Sequence, residues 1–233
     1  MQELTEDDFD RRLEFAEWFN GCAAEDPHFY RSFLWSDEAS FKLNGTVNRH
    51  NCVYWSSENP HVTMEQALNL SGIMVWCGVS VYGIIGPFFF EGNATAEKYL
   101  EMLMEVRQIL DHDPRFHNKN LTFQQDGAPI HYALIVREFL DAFFPGWIGR
   151  RGHIEWPARS PDVTPCDFGL WGYLKDRVFS RKPQTIKELK QFVTEEVDPL
   201  NEDRRYLVRL LKHVCKRCEK LREVRRGHIE HIL

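Results

Sequence analysis

The chain has 233 residues, 43% hydrophobic and 13% aromatic, enough to bury a full core in one domain with attached helices. Its net charge of −6 excludes a uniformly basic nucleic-acid binder, but not a local one: residues 1–30 hold nine acids against Arg11 and Arg12, a net of −7, whereas residues 201–233 carry a net of +5. No apolar run approaches the roughly 18 residues of a membrane span, no secretory signal follows Met1, and six scattered cysteines lack the density of a disulfide framework, so a reducing compartment is expected.

Phe9, Leu13, Phe15, Ala16 and Phe19 recur near helical spacing and predict an opening helix over 5–22, closed by a Gly/Asp/Pro break at 21–27. Residues 31–36, 41–43 and 52–55 read as short strands with a turn at Asn44-Gly45, and 72–80 and 83–90 as β-rich runs around Val81-Tyr82-Gly83, together an antiparallel meander. Thr95 signals a helix over about 95–110, and a strand follows at Leu121–Gln125, ending at Asp126. Further helices are expected at about 130–143, 184–198 and 203–225, with a short strand near His153–Glu155 and Asp167 in the first turn of a helix that follows the Pro157–Pro165 turn region. Strands first, helices later and β–α alternation between them predict an α/β fold with a mixed sheet flanked by helices.

Three stretches carry the chemistry: Phe33-Leu34-Trp35-Ser36-Asp37-Glu38, Phe123-Gln124-Gln125-Asp126-Gly127-Ala128-Pro129, and Ser160-Pro161-Asp162-Val163-Thr164-Pro165-Cys166-Asp167-Phe168. Each sets an acid at the end of an apolar run or in a proline-framed turn. Taken singly, Asp126 is a turn residue, Asp162 an ordinary turn acid and Asp167 a helix cap. Asp37 is harder to dismiss, because an acid closing a buried strand needs a partner; Glu38, its neighbour, should point to the opposite face. Mg²⁺ takes oxygen ligands, and a pair of such ions about 3.5–4 Å apart serves in-line phosphoryl displacement. Three carboxylates around one point repel by roughly 3 kcal/mol per pair at 5 Å and an effective dielectric near 20, so a fold that gathers them calls for a cation.

The longer strings Trp35–Phe41, Gln125–His131 and Trp156–Phe168, with Val75–Val79 and Ile85–Phe89, resemble the catalytic core of mariner-type transposases, members of the DDE superfamily with a ribonuclease-H-like fold. The resemblance runs from about residue 30 to 180 and keeps the family's order. It implies Asp37 as the first metal-binding acid, at the end of the first strand, Asp126 as the second, and Asp167 as the third. The 40 residues between Asp126 and Asp167 exceed the usual mariner spacing, the Phe143–Gly152 stretch looks able to absorb the excess, and Asp162 stays the alternative third acid. It further implies two Mg²⁺ or Mn²⁺ ions, transposon-end and target DNA as partners, a homodimer, no membrane, and a nuclear location. His131 is a supporting residue expected near the scissile phosphate or the third carboxylate, and Arg150, Arg151 and Arg159 are candidate phosphate contacts.

The expected division is a linker-helix remnant at 1–28, a catalytic domain at 29–182 and a helical extension at 183–233. The family's paired helix-turn-helix region does not precede the opening helix, so an N-terminally truncated copy is expected, with Asn48–His61 a dimer clamp by analogy. Cys215, Cys218, His228 and His231 suggest a zinc site but miss the usual finger spacing, and the two cysteines also fit the apolar face of a helix, the preferred reading. Two rivals stand beside the nuclease: a noncatalytic, domesticated core that binds nucleic acid or protein, and a structure-directed ribonuclease.

Overall fold

The computed structural model of the chain describes residues 4–43 and 71–224, together with Ile229. Among these residues four strands form one mixed sheet in the order β3-β2-β1-β4: β1 (Phe33–Lys42), β2 (Gly72–Ser80), β3 (Gly83–Phe90) and β4 (Thr122–Gln124). The predicted meander is β1-β2-β3, antiparallel throughout, while β4 returns parallel to β1. One expectation is corrected here: β1 does not break after residue 36. Asp37 to Lys42 continue through unbroken pairing with β2, from Asp37 opposite Cys77 to Lys42 opposite Gly72. The predicted strand at His153–Glu155 reduces to single bridges that link Ile154 through Ile148 to Gln124.

Among the described residues six α-helices flank the sheet: α1 (Glu6–Glu25), α2 (Ala96–His112), α3 (Leu134–Phe143), α4 (Trp171–Ser180), α5 (Ile186–Glu202) and α6 (Arg204–Val224). Their starts follow sequence chemistry. Thr5 and Asp8 close a reciprocal capping box on α1, Thr185 and Glu188 do so on α5, and the Thr95 hydroxyl accepts from the Lys98 amide at the start of α2.

Strand alternation divides the core. On β1, Phe33, Trp35, Ala39 and Phe41 face a large cluster with α1, α4, α5 and α6, whereas Leu34 joins Trp76, Phe123 and the apolar faces of α2 and α3 on the other side. The opening helix and the C-terminal pair thus share one core with the sheet. Phe15 and Phe19 lie in the same cluster as Val193, Leu207 and Leu211. Between Pro165 and α4 the chain makes a π-helical turn, Cys166–Leu170. Gly169 in this turn seats it against α6, since any side chain there would collide with Leu210. No helix among the described residues is long and apolar enough to cross a membrane.

Candidate metal and nucleic-acid site

The last paired residues of β1 and β4 are Trp35 and Gln124, and each chain then carries an aspartate two residues further on, Asp37 and Asp126. The parallel register therefore sets the two acids side by side at the same end of the sheet. A cleft of about 760 Å³ opens there, lined by Asp37, Asp126 and Asp167 together with Ser36, Trp156, Arg159 and Thr164. Its floor is rigid: the Ser36 hydroxyl donates to the Gln124 carbonyl at 2.7 Å and pins β1 to β4 just before both acids.

Asp37 shares its face of β1 with Phe33 and Trp35, and the Trp171 indole N–H, at the start of α4, donates to its Oδ2 at 2.8 Å. Burial pushes this carboxyl well above the usual carboxylate range, and the charges of Asp167, Glu38 and Asp126 push the same way against the indole hydrogen bond. Glu38 points to the opposite face, as alternation predicts, and meets His131 there. The His131 ring bridges two carboxylates, with Nδ1 2.5 Å from Asp126 Oδ1 and Nε2 3.1 Å from Glu38 Oε1. Burial alone would lower this imidazole; Glu38 and Asp126 outweigh it and raise it to about 10. Asp126, in turn, is raised by burial but lies below its ordinary value overall, because His131 and the Ala128 amide hold its charge.

The predicted residues divide as follows. Asp37, Asp126 and Asp167 line one cleft. His131 approaches Asp126 and Glu38 instead of the third carboxylate, because the turn after β4 carries it to the α2 side, where Tyr99 stacks on it at 4.3 Å. Asp162 is absent from the cleft lining: its two oxygens accept from Arg12 at 2.8 and 2.7 Å, and both side chains are fully buried. Arg159 lines the cleft and pairs with Asp8. Arg150 and Arg151 are exposed and stack their guanidinium groups on Tyr132, at 4.3 and 5.4 Å from the ring centroid.

No family model matches the sequence. The chain is 27% identical over 190 residues to the Tc3 transposase of Caenorhabditis elegans, a match covering 79% of this chain and 52% of that protein, so it spans about half the length of that relative. Among solved structures it superposes on the Mos1 transposase catalytic domain with a TM-score of 0.73 and 18% identity over 96% of each chain. It also superposes on the Mos1 paired-end complex with the left transposon end, with a TM-score of 0.80 and 19% identity over 97% of this chain and 65% of that one. The same Mos1 domain bound to Raltegravir with Mg gives a TM-score of 0.75 at 18% identity, over 97% of this chain and 99% of that one.

The chain has the fold of the mariner-type transposase catalytic core.

Two further residues stand beside Asp37 and belong to none of the sequence motifs. Trp171 orients the carboxylate, and Lys175, one turn later on α4, sits near both Asp167 and Asp37 with its ammonium 5.7 Å from the Phe41 ring; burial lowers its pKa against the pull of the two acids. Their spacing of four on a helix that follows the third acid was the available signal. Among the described residues no three acidic, histidine or cysteine side chains converge tightly enough to hold an ion as they stand. Two of the three acids engage other partners instead, Asp37 with Trp171 and Asp126 with His131. Cys218 is buried in the core and Cys215 packs beside it, as the apolar-face reading expects; His228, His231 and the Asn48–His61 segment lie outside the described residues.

Proposed function

We propose that the chain is the catalytic domain of a DNA transposase, cutting a DNA strand at a transposon end and joining the freed 3′-hydroxyl to target DNA in the nucleus, as a dimer. The observation that carries this reading is the shared cleft of Asp37, Asp126 and Asp167, in which Asp37 is held above its ordinary range by burial and its acidic neighbours. An all-oxygen donor set suits Mg²⁺ or Mn²⁺. Asp37, Asp126 and Asp167 would hold two such ions, which, when bound, activate the attacking oxygen and stabilise the leaving one. The chain's own groups do the rest. Trp171 donates to Oδ2 of Asp37, which lines the cleft. His131, bonded to Asp126, holds this carboxyl below its ordinary value against the effect of burial. Arg159, anchored by Asp8, stands on the cleft wall where a phosphodiester would lie.

Supercoiled-plasmid nicking in Mn²⁺ tests the proposal: it is expected for the wild-type chain and lost in Asp126→Ala, and equal nicking by both would remove it. Thermal melting gives a second readout. Mn²⁺ at 100 times its Kd should stabilise the native state by about 2.7 kcal/mol, whereas no shift, with no nicking, would assign the cleft to a noncatalytic binding module. Parallel RNA and DNA substrates separate a ribonuclease. Trp171→Phe keeps the ring and removes the N–H, and is expected to weaken Mn²⁺ binding by about 10–100-fold, the range seen when a partner that orients a metal ligand is lost; calorimetric titration measures it.

A further inference from the structure

A second cleft, of about 530 Å³, lies on the far side of the π-helical turn, between α4 and α6. Phe168, Tyr173 and Tyr206 wall it, Arg209, Lys216 and Arg217 supply its charge, and no acid lines it. Arg209 and Lys216 are exposed and make no ion pair among the described residues. The Tyr206 hydroxyl is buried with no hydrogen-bond partner among them, its ring 5.8 Å from that of Tyr173. Basic side chains at Arg205, Arg209, Lys212, Lys216 and Lys220 recur every three or four residues along α6 and so form a stripe on one face.

A charged stripe alone is a solvated helix face. Two observations give this one direction. First, a notch of about 410 Å³, lined by Pro161, Asp167, Phe168 and Arg217, joins the two clefts: Asp167 belongs also to the acidic cleft, Phe168 and Arg217 to the aromatic one. Second, the saddle between them is built, not loose: the Arg217 guanidinium lies 4.0 Å from the Phe168 ring centroid and donates to the Asp162 carbonyl at 2.8 Å. A polymer with phosphates to neutralise and flat bases to stack matches a basic, aromatic trough that begins at an acidic, metal-binding one.

We propose that a DNA strand leaving the acidic cleft past Asp167 crosses Phe168 and Arg217 into this second cleft, where Arg209 and Lys216 each neutralise a backbone phosphate and an unpaired base lies against Tyr173 and Tyr206. The inference rests on the acidic cleft being a DNA-cleaving site. Seven residues apart on a helix, the two cations stand roughly 10.5 Å from one another along the axis, a span that skips at least one phosphate.

The test is anisotropy binding of the chain, in Ca²⁺, to a DNA hairpin with and without a single-stranded extension of about eight nucleotides. Arg209→Gln with Lys216→Gln is expected to weaken binding of the extended probe about tenfold and to lower its log–log salt slope by about 1.4, two phosphates at about 0.7 each. Blunt-hairpin affinity and the Mn²⁺ nicking rate at saturating DNA should not change. Tyr206→Ala should weaken the extended probe by about fivefold or more with the slope kept. Both glutamine substitutions are at exposed positions, so they decide the matter even if Tyr206→Ala fails to fold. Unchanged affinity and slope in the double variant overturn the proposal, as does a change in its sedimentation without a change in DNA affinity, which would give the face to a second copy of the chain. A wild-type chain that nicks DNA yet ignores these substitutions sinks this inference alone; one that binds neither probe sinks the transposase reading with it.

Discussion

Asp37→Asn is expected to raise the melting temperature of the metal-free protein while removing its Mn²⁺-dependent nicking. Asn keeps the volume and an oxygen to accept from Trp171, so the change isolates charge. Burial and the neighbouring Asp167, Glu38 and Asp126 hold the Asp37 carboxyl well above its ordinary value of 3.8. A group whose folded pKa lies above its unfolded one leaves stability intact below the unfolded value and removes it as pH rises through the folded one. The advantage of Asn should therefore be absent near pH 4 and grow toward neutrality. Repulsion of roughly 3 kcal/mol per pair at 5 Å is an upper bound that solvent and salt in an open cleft reduce, leaving a net gain of about 1 kcal/mol. For a chain of this size that is about 2–4 °C. Nicking should fall by at least about 10²-fold, the scale on which one electrostatic contact to a transition state is felt. Mn²⁺ should then reverse the order, stabilising the wild type and not the variant. A variant that melts lower than wild type at pH 7 without metal would show that the three acids are not in net repulsion.

That opposition between stability and activity explains which parts of the site were legible in the sequence. The acids stood out because each interrupts a local rule: Asp37 follows Phe33-Leu34-Trp35, and Asp126 and Asp167 follow an apolar strand and a proline-framed turn. Thr95 and the β-rich runs over 72–80 and 83–90 located α2, β2 and β3 within a residue or two, because caps and β-branched or aromatic enrichment are local properties. The run Ser36-Asp37-Glu38-Ala39-Ser40 reads as a strand end, yet β2 pairs with every residue of it; hydrogen bonding to a partner strand overrides a weak local propensity. The parallel return of β4, which brings Asp126 beside Asp37, has no local signature at all. Neither does the use of Trp171 as a hydrogen-bond donor, or the choice of Glu38 over the third aspartate as the second partner of His131. In the 143–152 stretch the structural role falls to Trp147 and Ile148: the indole donates to Asp141 at 2.7 Å, and Ile148 takes the Phe123 carbonyl at the sheet edge.

Arg12 shows the same limit most sharply, and its removal should be the most damaging single change on the α1 side. In an acidic helix with a net of −7 over residues 1–30, an arginine reads as one more solvated charge. Instead its guanidinium is 1% exposed and meets the 0% exposed Asp162 through two hydrogen bonds, with Ser160 Oγ at 2.8 Å and the Arg159 carbonyl at 3.3 Å completing its fork. Asp162 Oδ2 also accepts from the Ile229 amide at 3.0 Å, and the Asp162 carbonyl takes Arg217 from α6. Asp162 thus ties α1, α6 and Ile229 to the turn that leads to Asp167. Arg12→Ala removes a two-pronged cation from a buried carboxylate, which costs about 3–5 kcal/mol; at about 2–4 °C per kcal/mol the melting temperature should drop by about 6–20 °C. The cost belongs to the buried carboxylate more than to the pair, so Arg12→Met combined with Asp162→Leu should recover much of it, as apolar replacements of buried ion pairs do. Activity distinguishes the clamp from mere packing. Assayed well below its melting point, the recovered double variant should still nick DNA more slowly than wild type, because the Ser160–Pro165 turn has lost the anchor that fixes Asp167 against the cleft. Wild-type nicking by a stable double variant would show that the turn is held by its prolines and packing alone, and a loss below 1 kcal/mol in Arg12→Ala would show that water reaches Asp162.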